Sequence, residues 1–309
     1  MFDTIGFKMA KSDVFRGRFY DKITPILNSY SEHNFNGRYV VMGNLGNLKV
    51  VVSDEKLKIT GSLCKWYLGN NYKTLTRRDT QQAIEKLSDT LNLPMSDASV
   101  TRIDIADNII LRNPIDVYFN HLGLLRYFKR LEEPSGLYYA TKKMRLCFYD
   151  KIKELRNNGD VVPEIYEGAN VMRYEIRLLK PHNITAVDLY DERQYIGLNK
   201  LWESKYREIK KIGINNGSKL NFIDMKTIKD IHRYGLMLIA QQAGGELAFY
   251  KQLDEAYKTG KLTKKQKFDI KRKFKEAFDI VGCDGETTGN EDIIKELNDK
   301  IKRAVKFYR

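Results

Sequence analysis

The chain has 309 residues, 42% hydrophobic and 30% charged, with a formal net charge of +14 and a pI near 9.4. That length allows one large or two ordinary domains, and the composition excludes a disordered polymer. The charge points to a polyanionic partner; no run approaches about 18 apolar residues and no signal peptide opens the sequence, so a soluble, intracellular protein without a membrane role is expected.

In chain order, FDTIGFKM reads as a strand, and residues 13–27 as an amphipathic segment that Pro25 kinks. RYVVMG, LKVVVSD and KLKITG follow, separated by turn signals at Gly43, Asn44, Gly46 and Asp54, which predicts an antiparallel meander. Lys65, Trp66, Tyr67, Lys73, Arg77 and Arg78 interleave aromatics with cations. That pattern suits unpaired bases stacking while phosphates are neutralised; the alternative, favoured for a residue type that is usually highly buried, is that Trp66 fills the core. A helix over 76–91 carries Ala83, Leu87 and Leu91 on one face, and Pro94 closes it.

Residues 100–110, VTRIDIADNII, alternate as a strand, with Ile103 and Ile105 on one face and Arg102 and Asp104 on the other. Asn113 and Pro114 begin a helix whose inner face includes Val117, Leu122, Leu125 and Phe128. A turn at 133–136 leads to Tyr138 and Tyr139, which read as strand aromatics on opposite faces, with second nucleophiles or base-stacking platforms as the alternatives. Then Met144, Leu146 and Phe148 alternate with Arg145, Cys147 and Tyr149; Tyr149 ends the strand, just before Lys151, Lys153 and Glu154 on a short helix. The segment 157–170, with Tyr166, reads as a flap or a connector. In MRYEIRLLK, Met172, Ile176 and Leu178 oppose Arg173, Glu175 and Arg177.

Beyond Pro181, helical spacing recurs over 189–211, 225–242, 246–258, 264–280 and 291–309, with turns at Gly213, Gly217, Gly244, Gly260 and Gly282. In the fourth of these, Ile270, Phe274, Phe278 and Val281 form an apolar stripe; Lys264, Lys265, Lys267, Lys271, Arg272 and Lys275 point outward, as a DNA-backbone footprint or a solvated face. Cys64, Cys147 and Cys283 are odd in number and far apart, which predicts reduced thiols. There is no GxxxxGK[ST], so no nucleotide-driven helicase, and His33, His121, His182 and His232 form no HxH pair.

If the three alternating strands pair with their apolar faces together, the other face gathers Asp104, Glu175, Tyr149 and the arginines. Two carboxylates suit a hard divalent cation, and guanidinium forks suit phosphate oxygens. Tyr149 is then either a nucleophile for a phosphodiester or a half-buried aromatic with a solvated hydroxyl.

The ordered set TRIDIA, LCFYDKIKE and MRYEIRL resembles the rolling-circle replication initiators of the plasmid replication initiation factor (Rep_trans) family, and is similar to the filamentous-phage gene II/X replication proteins. KITGSLCKWYLGNN, upstream, looks like the gene II/X pattern of a glycine-containing strand followed by KFLxG. The resemblance spans residues 58–180. It implies that Tyr149 of the YxK motif is the nucleophile, that Asp104 and Glu175 hold Mg²⁺ or Mn²⁺, and that Lys151, Glu154 and Arg102 complete the catalytic set. Plasmid members often carry a second aspartate four residues after the first; Asn108 stands there, and strand alternation points Asp107 to the opposite face.

The expected architecture is α+β: an antiparallel-sheet nicking domain over 1–185, then an all-helical basic region over 186–309 for DNA binding or assembly. Lys65, Trp66, Lys73, Arg145, Arg173, Arg177, Lys264, Lys267, Lys271 and Lys275 are the expected DNA contacts. The resemblance implies as partners origin DNA, as a hairpin or single-stranded nick site, and a host helicase and DNA polymerase, in the cytoplasm of a bacterial host cell; a homodimer is left open. A mobilisation relaxase, or a non-enzymatic origin- or single-strand-binding protein, are the competing functions.

Overall fold

A computed structural model of the chain describes residues 1–11, 18–35, 37–212, 227–281 and 291–308. The chain divides into two compact units, Met1–Ile212 with Ile293–Arg309, and Gly213–Asp292.

In the first unit the described residues form β1 (Phe2–Ala10), β2 (Ser29–Phe35), β3 (Arg38–Leu45), β4 (Leu48–Val52), β5 (Lys56–Ser62), β6 (Ser99–Leu111), β7 (Lys129–Glu133), β8 (Gly136–Ala140), β9 (Met144–Asp150) and β10 (Asn170–Leu179). All pair antiparallel in one sheet, in the order β2-β3-β4-β5-β1-β6-β10-β9-β8-β7. The fold is the expected α+β arrangement, a sheet followed by helices. β2 went unread in the sequence for a physical reason: every one of its residues is exposed, so it has no alternation of apolar and polar faces to show.

The three alternating strands are neighbours at the sheet's centre. Ile103 lies opposite Leu178, Ile105 opposite Ile176, and Tyr174 opposite Phe148. This apolar face packs on helices of the same unit. Among them, α3 (Arg77–Leu91) buries Ala83, Ile84, Leu87 and Leu91, and its N-terminus is fixed by a capping box between Thr76 and Asp79. Helix α6 (Glu192–Glu208) buries Trp202, whose indole N–H donates to the Tyr174 carbonyl at 3.3 Å and whose own carbonyl accepts from the Tyr174 hydroxyl at 3.1 Å. Tyr174 stacks in turn on Phe148, ring centroids 4.4 Å apart. The last helix, α10 (Glu291–Phe307), adds Leu297, Ile301 and Val305 to the same core.

Three short helices complete this unit: α1 (Phe19–Ile23), α2 (Leu63–Leu68) and α4 (Ile115–His121), with α5 (Lys151–Asn157) following β9 directly. Helix α4 stops well before Leu125 and Phe128, which the sequence reading had placed on it. At Gly123 the chain turns to run beside 210–212: its amide donates to the Lys210 carbonyl at 2.8 Å, and a side-chain carbon at 123 would lie 2.8 Å from that oxygen. Such close backbone approach needs glycine.

The second unit contains α7 (Ile228–Gln242), α8 (Glu246–Lys258) and α9 (Lys264–Val281). Phe274 of α9 is buried and stacked on Phe249 of α8 at 3.9 Å. Residues 12–17, Gly213, Gly217, Gly282 and Cys283 lie outside the described residues, as do the side chains of Phe278 and Val281. Among the described residues no helix is long and apolar enough to cross a membrane.

Candidate active site

The polar face of β6, β10 and β9 is organised in rows fixed by register. Asp104 stands opposite Arg177, which stands opposite Arg145; Ala106 opposite Glu175, opposite Cys147; Asn108 opposite Arg173, opposite Tyr149. Glu175 therefore sits between two small side chains, which leaves room above it for long neighbours to converge.

They converge on the two carboxylates. Arg102 grips Asp104 in a bidentate fork, Nε to Oδ1 at 2.8 Å and Nη2 to Oδ2 at 2.5 Å. Glu175 accepts from Arg177 Nε at 2.5 Å on one oxygen, and on the other from Arg173 Nε at 3.3 Å and the Tyr149 hydroxyl at 3.2 Å. Both carboxylates are only 2% exposed. Burial raises Asp104 to about 7, with the Arg102 fork opposing and the charge of Glu175 adding to the rise. Burial would raise Glu175 too, but Arg177 and Arg173 overcome it and hold Glu175 at about 2.

Tyr149 and Lys151 flank the junction of β9 and α5. Asp150 caps that helix, its carboxylate accepting from the amides of Ile152 and Lys153 at 2.9 Å each, so the strand ends and the helix begins within one residue of the tyrosine. Burial pushes the Tyr149 phenol well above its ordinary 10, and Glu175 pushes in the same direction. Lys151 is 0% exposed, with its ammonium 2.6 Å from Glu154; burial and then Arg173 lower its pKa, and Glu154 opposes them. On the other side Gly136, at φ +153°, lets β8 close on the tyrosine: a side-chain carbon there would lie 2.9 Å from the Tyr149 Cβ.

Beneath these groups Arg173, 0% exposed, ties the layers together. It pairs with Asp3 at 2.6 Å, donates to the Asn108 carboxamide oxygen at 3.0 Å and reaches the Asn71 carbonyl at 3.4 Å. Asn108, which stands at the second-aspartate position, thus holds an arginine and donates to the Tyr72 carbonyl at 2.7 Å. Asp107 faces the opposite side of the sheet, where the Tyr308 hydroxyl donates to it at 3.3 Å.

The family model for the N-terminal region of the phage replication-associated protein, Phage_CRI, matches residues 31–193, just over half of the chain. The chain belongs to this family. No curated protein matches it. The region matched to the phage replication-associated family contains all of β6, β9, α5 and β10, and with them Tyr149, Lys151, Glu154, Asp104, Glu175 and every arginine named above. It leaves Asp3, most of α6, the second unit and α10 outside.

Of the other expected contacts in the matched region, Lys65 on α2 pairs with Asp160 at 2.7 Å, and Lys73 is exposed on the following loop. Trp66 packs partly buried against the core, with the Lys86 ammonium 5.2 Å over its ring. Lys264, Lys271 and Lys275 are exposed in the second unit, and Lys267 there is ion-paired with Asp254 at 2.8 Å. Tyr138 bonds the Ser135 hydroxyl at 2.8 Å beneath the Arg145 guanidinium, whereas Tyr139 is buried, donating to the Leu122 and Gly123 carbonyls. Tyr166 is also buried, and its hydroxyl donates to the Tyr72 carbonyl at 3.0 Å. Asp3, Gly136 and Asp150 were missed; the sequence signals were a carboxylate inside an apolar strand, a glycine at a strand start and an aspartate before a helix.

Among the described residues no cluster of three or more His, Cys, Asp or Glu side chains is placed to chelate a metal. Asp104 and Glu175 are the donor type that Mg²⁺ and Mn²⁺ take, commonly one or two carboxylates with substrate phosphate oxygens completing the shell, and here the oxygens of both are engaged by arginines and Tyr149. Asp104, buried beside a second carboxylate and held up to about 7, is a group whose ionised form an added cation would stabilise. Cys147 stands opposite Glu175 on β9, and burial raises its thiol to about 12.

Proposed function

We propose that this protein is a rolling-circle replication initiator that nicks and rejoins origin DNA through Tyr149. The observation that carries the reading is the Tyr149 hydroxyl bonded to Glu175 on a sheet face shared with Asp104, Arg102, Arg145, Arg173 and Arg177. The phenolic oxygen bonds to the scissile phosphorus as the bond from phosphorus to the 3′ oxygen breaks, leaving a 5′-phosphotyrosine and a free 3′-hydroxyl. Glu175 orients the hydroxyl that donates to it, the phenolic proton passes to solvent as the new bond forms, and Lys151, its pKa lowered and its position set by Glu154, gives a proton to the departing oxygen. Arg145 has a buried Nε with no partner among the described residues, which favours a bound phosphate oxygen across from Arg177. Held by Asp104 and Glu175, Mg²⁺ or Mn²⁺ would supply positive charge to the phosphoryl oxygens. Since the phosphodiester energy is conserved in the adduct, reversal needs no nucleotide. Origin DNA is the substrate; a host polymerase would extend the free 3′-hydroxyl while a host helicase separates the strands.

The test is incubation with supercoiled DNA carrying the origin and Mg²⁺. Relaxed circles bearing protein at the 5′ end through denaturant are expected; retardation without relaxation would make this a DNA-binding protein alone.

The carboxylates make a second prediction. In Tyr149→Phe protein saturated with uncleaved oligonucleotide, Mn²⁺ affinity read by electron paramagnetic resonance should fall in both Asp104→Asn and Glu175→Gln. A proton competes with the cation at Asp104 below its pKa of about 7, so with both carboxylates intact the affinity of the Tyr149→Phe protein should drop roughly tenfold per pH unit beneath that point and level off above it. A flat profile from pH 5.5 to 8 would remove Asp104 from the ligand set, and undiminished cleavage in excess chelator would end the metal reading.

A further inference from the structure

In the second unit, the end of α8 and the first turns of α9 border an open cleft of about 590 Å³ lined by Tyr257, Lys264, Lys265, Lys267, Phe268 and Lys271. Phe268 is 65% exposed and Tyr257 41%. Phe268 does not serve the core, a task taken by the buried Phe274 on the same helix. Lys264, Phe268 and Lys271 share one face of α9, and Lys264 to Lys271 spans about 10 Å along its axis. The Lys267 ammonium lies 4.8 Å from the Tyr257 ring centre, held there by Asp254.

Duplex backbone asks only for the lysines, and a solvated helix face has no use for an exposed phenylalanine among them. Exposed aromatics beside lysines are what an unpaired strand requires, because its bases stack while its phosphates are neutralised. We propose that this cleft binds single-stranded DNA, with one unpaired base stacked on Phe268 beside Tyr257 and the flanking phosphates held by Lys264, Lys265 and Lys271. The inference rests on the proposed initiator function only for the choice of DNA among polyanions; the cleft itself shares no residue with Tyr149's surroundings.

The full chain is titrated without divalent metal against a labelled oligothymidylate and a duplex of the same length. Phe268→Ala should bind the single strand on the order of tenfold more weakly, the effect of losing one stacked base, and bind the duplex within about twofold of the parent. Its salt slope should be unchanged, while Lys264→Gln with Lys271→Gln should lower the single-strand slope by about 1.4, or about 0.7 per contact. Phe268→Trp should keep the affinity, and the added indole should be quenched by the oligonucleotide. Equal losses on both DNAs, or an indole unquenched at saturation, overturn the proposal. Quenching by polyglutamate or phosphatidylglycerol vesicles and not by the oligonucleotide overturns it too, and assigns the cleft to a protein or a membrane. Retained quenching in a protein that forms no adduct at Tyr149 would leave this cleft standing and end the nicking reading.

Discussion

Tyr149→Phe should abolish the denaturant-resistant DNA adduct and reduce nicking by on the order of 10³-fold or more, while the protein stays folded and still binds DNA. The substitution removes one oxygen. Glu175 loses the donor at 3.2 Å but keeps Arg177 and Arg173, so stability should change by only about 1 kcal/mol. Burial and the charge of Glu175 also push the Tyr149 phenol well above its ordinary 10. Attack should therefore need the bound phosphate, and adduct yield on DNA lacking the nick site should be negligible. Adduct formation is read on denaturing gels, and the fold by circular dichroism. A persisting adduct would point to Tyr138, since the hydroxyls of Tyr139 and Tyr166 are committed to backbone carbonyls.

The outline of this site was legible because sheet faces are written in alternation. Arg102 and Asp104, Arg145 and Tyr149, and Arg173, Glu175 and Arg177 each fall on one alternating face of their strands, and the structure pairs those strands side by side. What alternation does not carry is depth. Lys151 reads as one lysine among several on a short helix, yet it is wholly buried, because α5 packs against β9 and β10 at that point. Asp3 was hidden for another reason: β1 meets β6 through register shifts between Phe2 and Ile5 and between Gly6 and Phe7, so period-two counting does not tell which face its residues serve. Nor does sequence spacing bring residues 71 and 72 over Arg173 and Asn108, a contact made through backbone carbonyls.

Arg173→Met should be the most destabilising single substitution in this region, costing about 3 to 5 kcal/mol, because it leaves buried Asp3 and Glu175 without their shared cation. Arg173 is itself fully buried, and its charge is maintained against that burial by Asp3 and Glu175. For a unit of this size the midpoint of thermal unfolding should fall by on the order of 10 °C. Arg173→Lys should lose part of this, since one ammonium cannot serve Asp3, Glu175, Asn108 and the Asn71 carbonyl with the fork geometry of a guanidinium. Acid titration supplies a signature that simple loss of packing would not. Glu175 has a folded-state pKa of about 2 against its ordinary 4.5, so its contribution to stability is present above about 4.5 and is lost as pH falls toward 2. Removing Arg173 takes away one of the charges that hold Glu175 down, so the variant's stability should fall less steeply through that window than the wild type's. Adding Asp3→Asn to Arg173→Met should recover part of the loss at pH 7, because the buried charge that Arg173 had paired is then gone, while Glu175 keeps Arg177. A double variant no more stable than Arg173→Met alone would mean that Asp3 is not stranded by the loss of the arginine, and the buried pair would not be what joins β1 to the site.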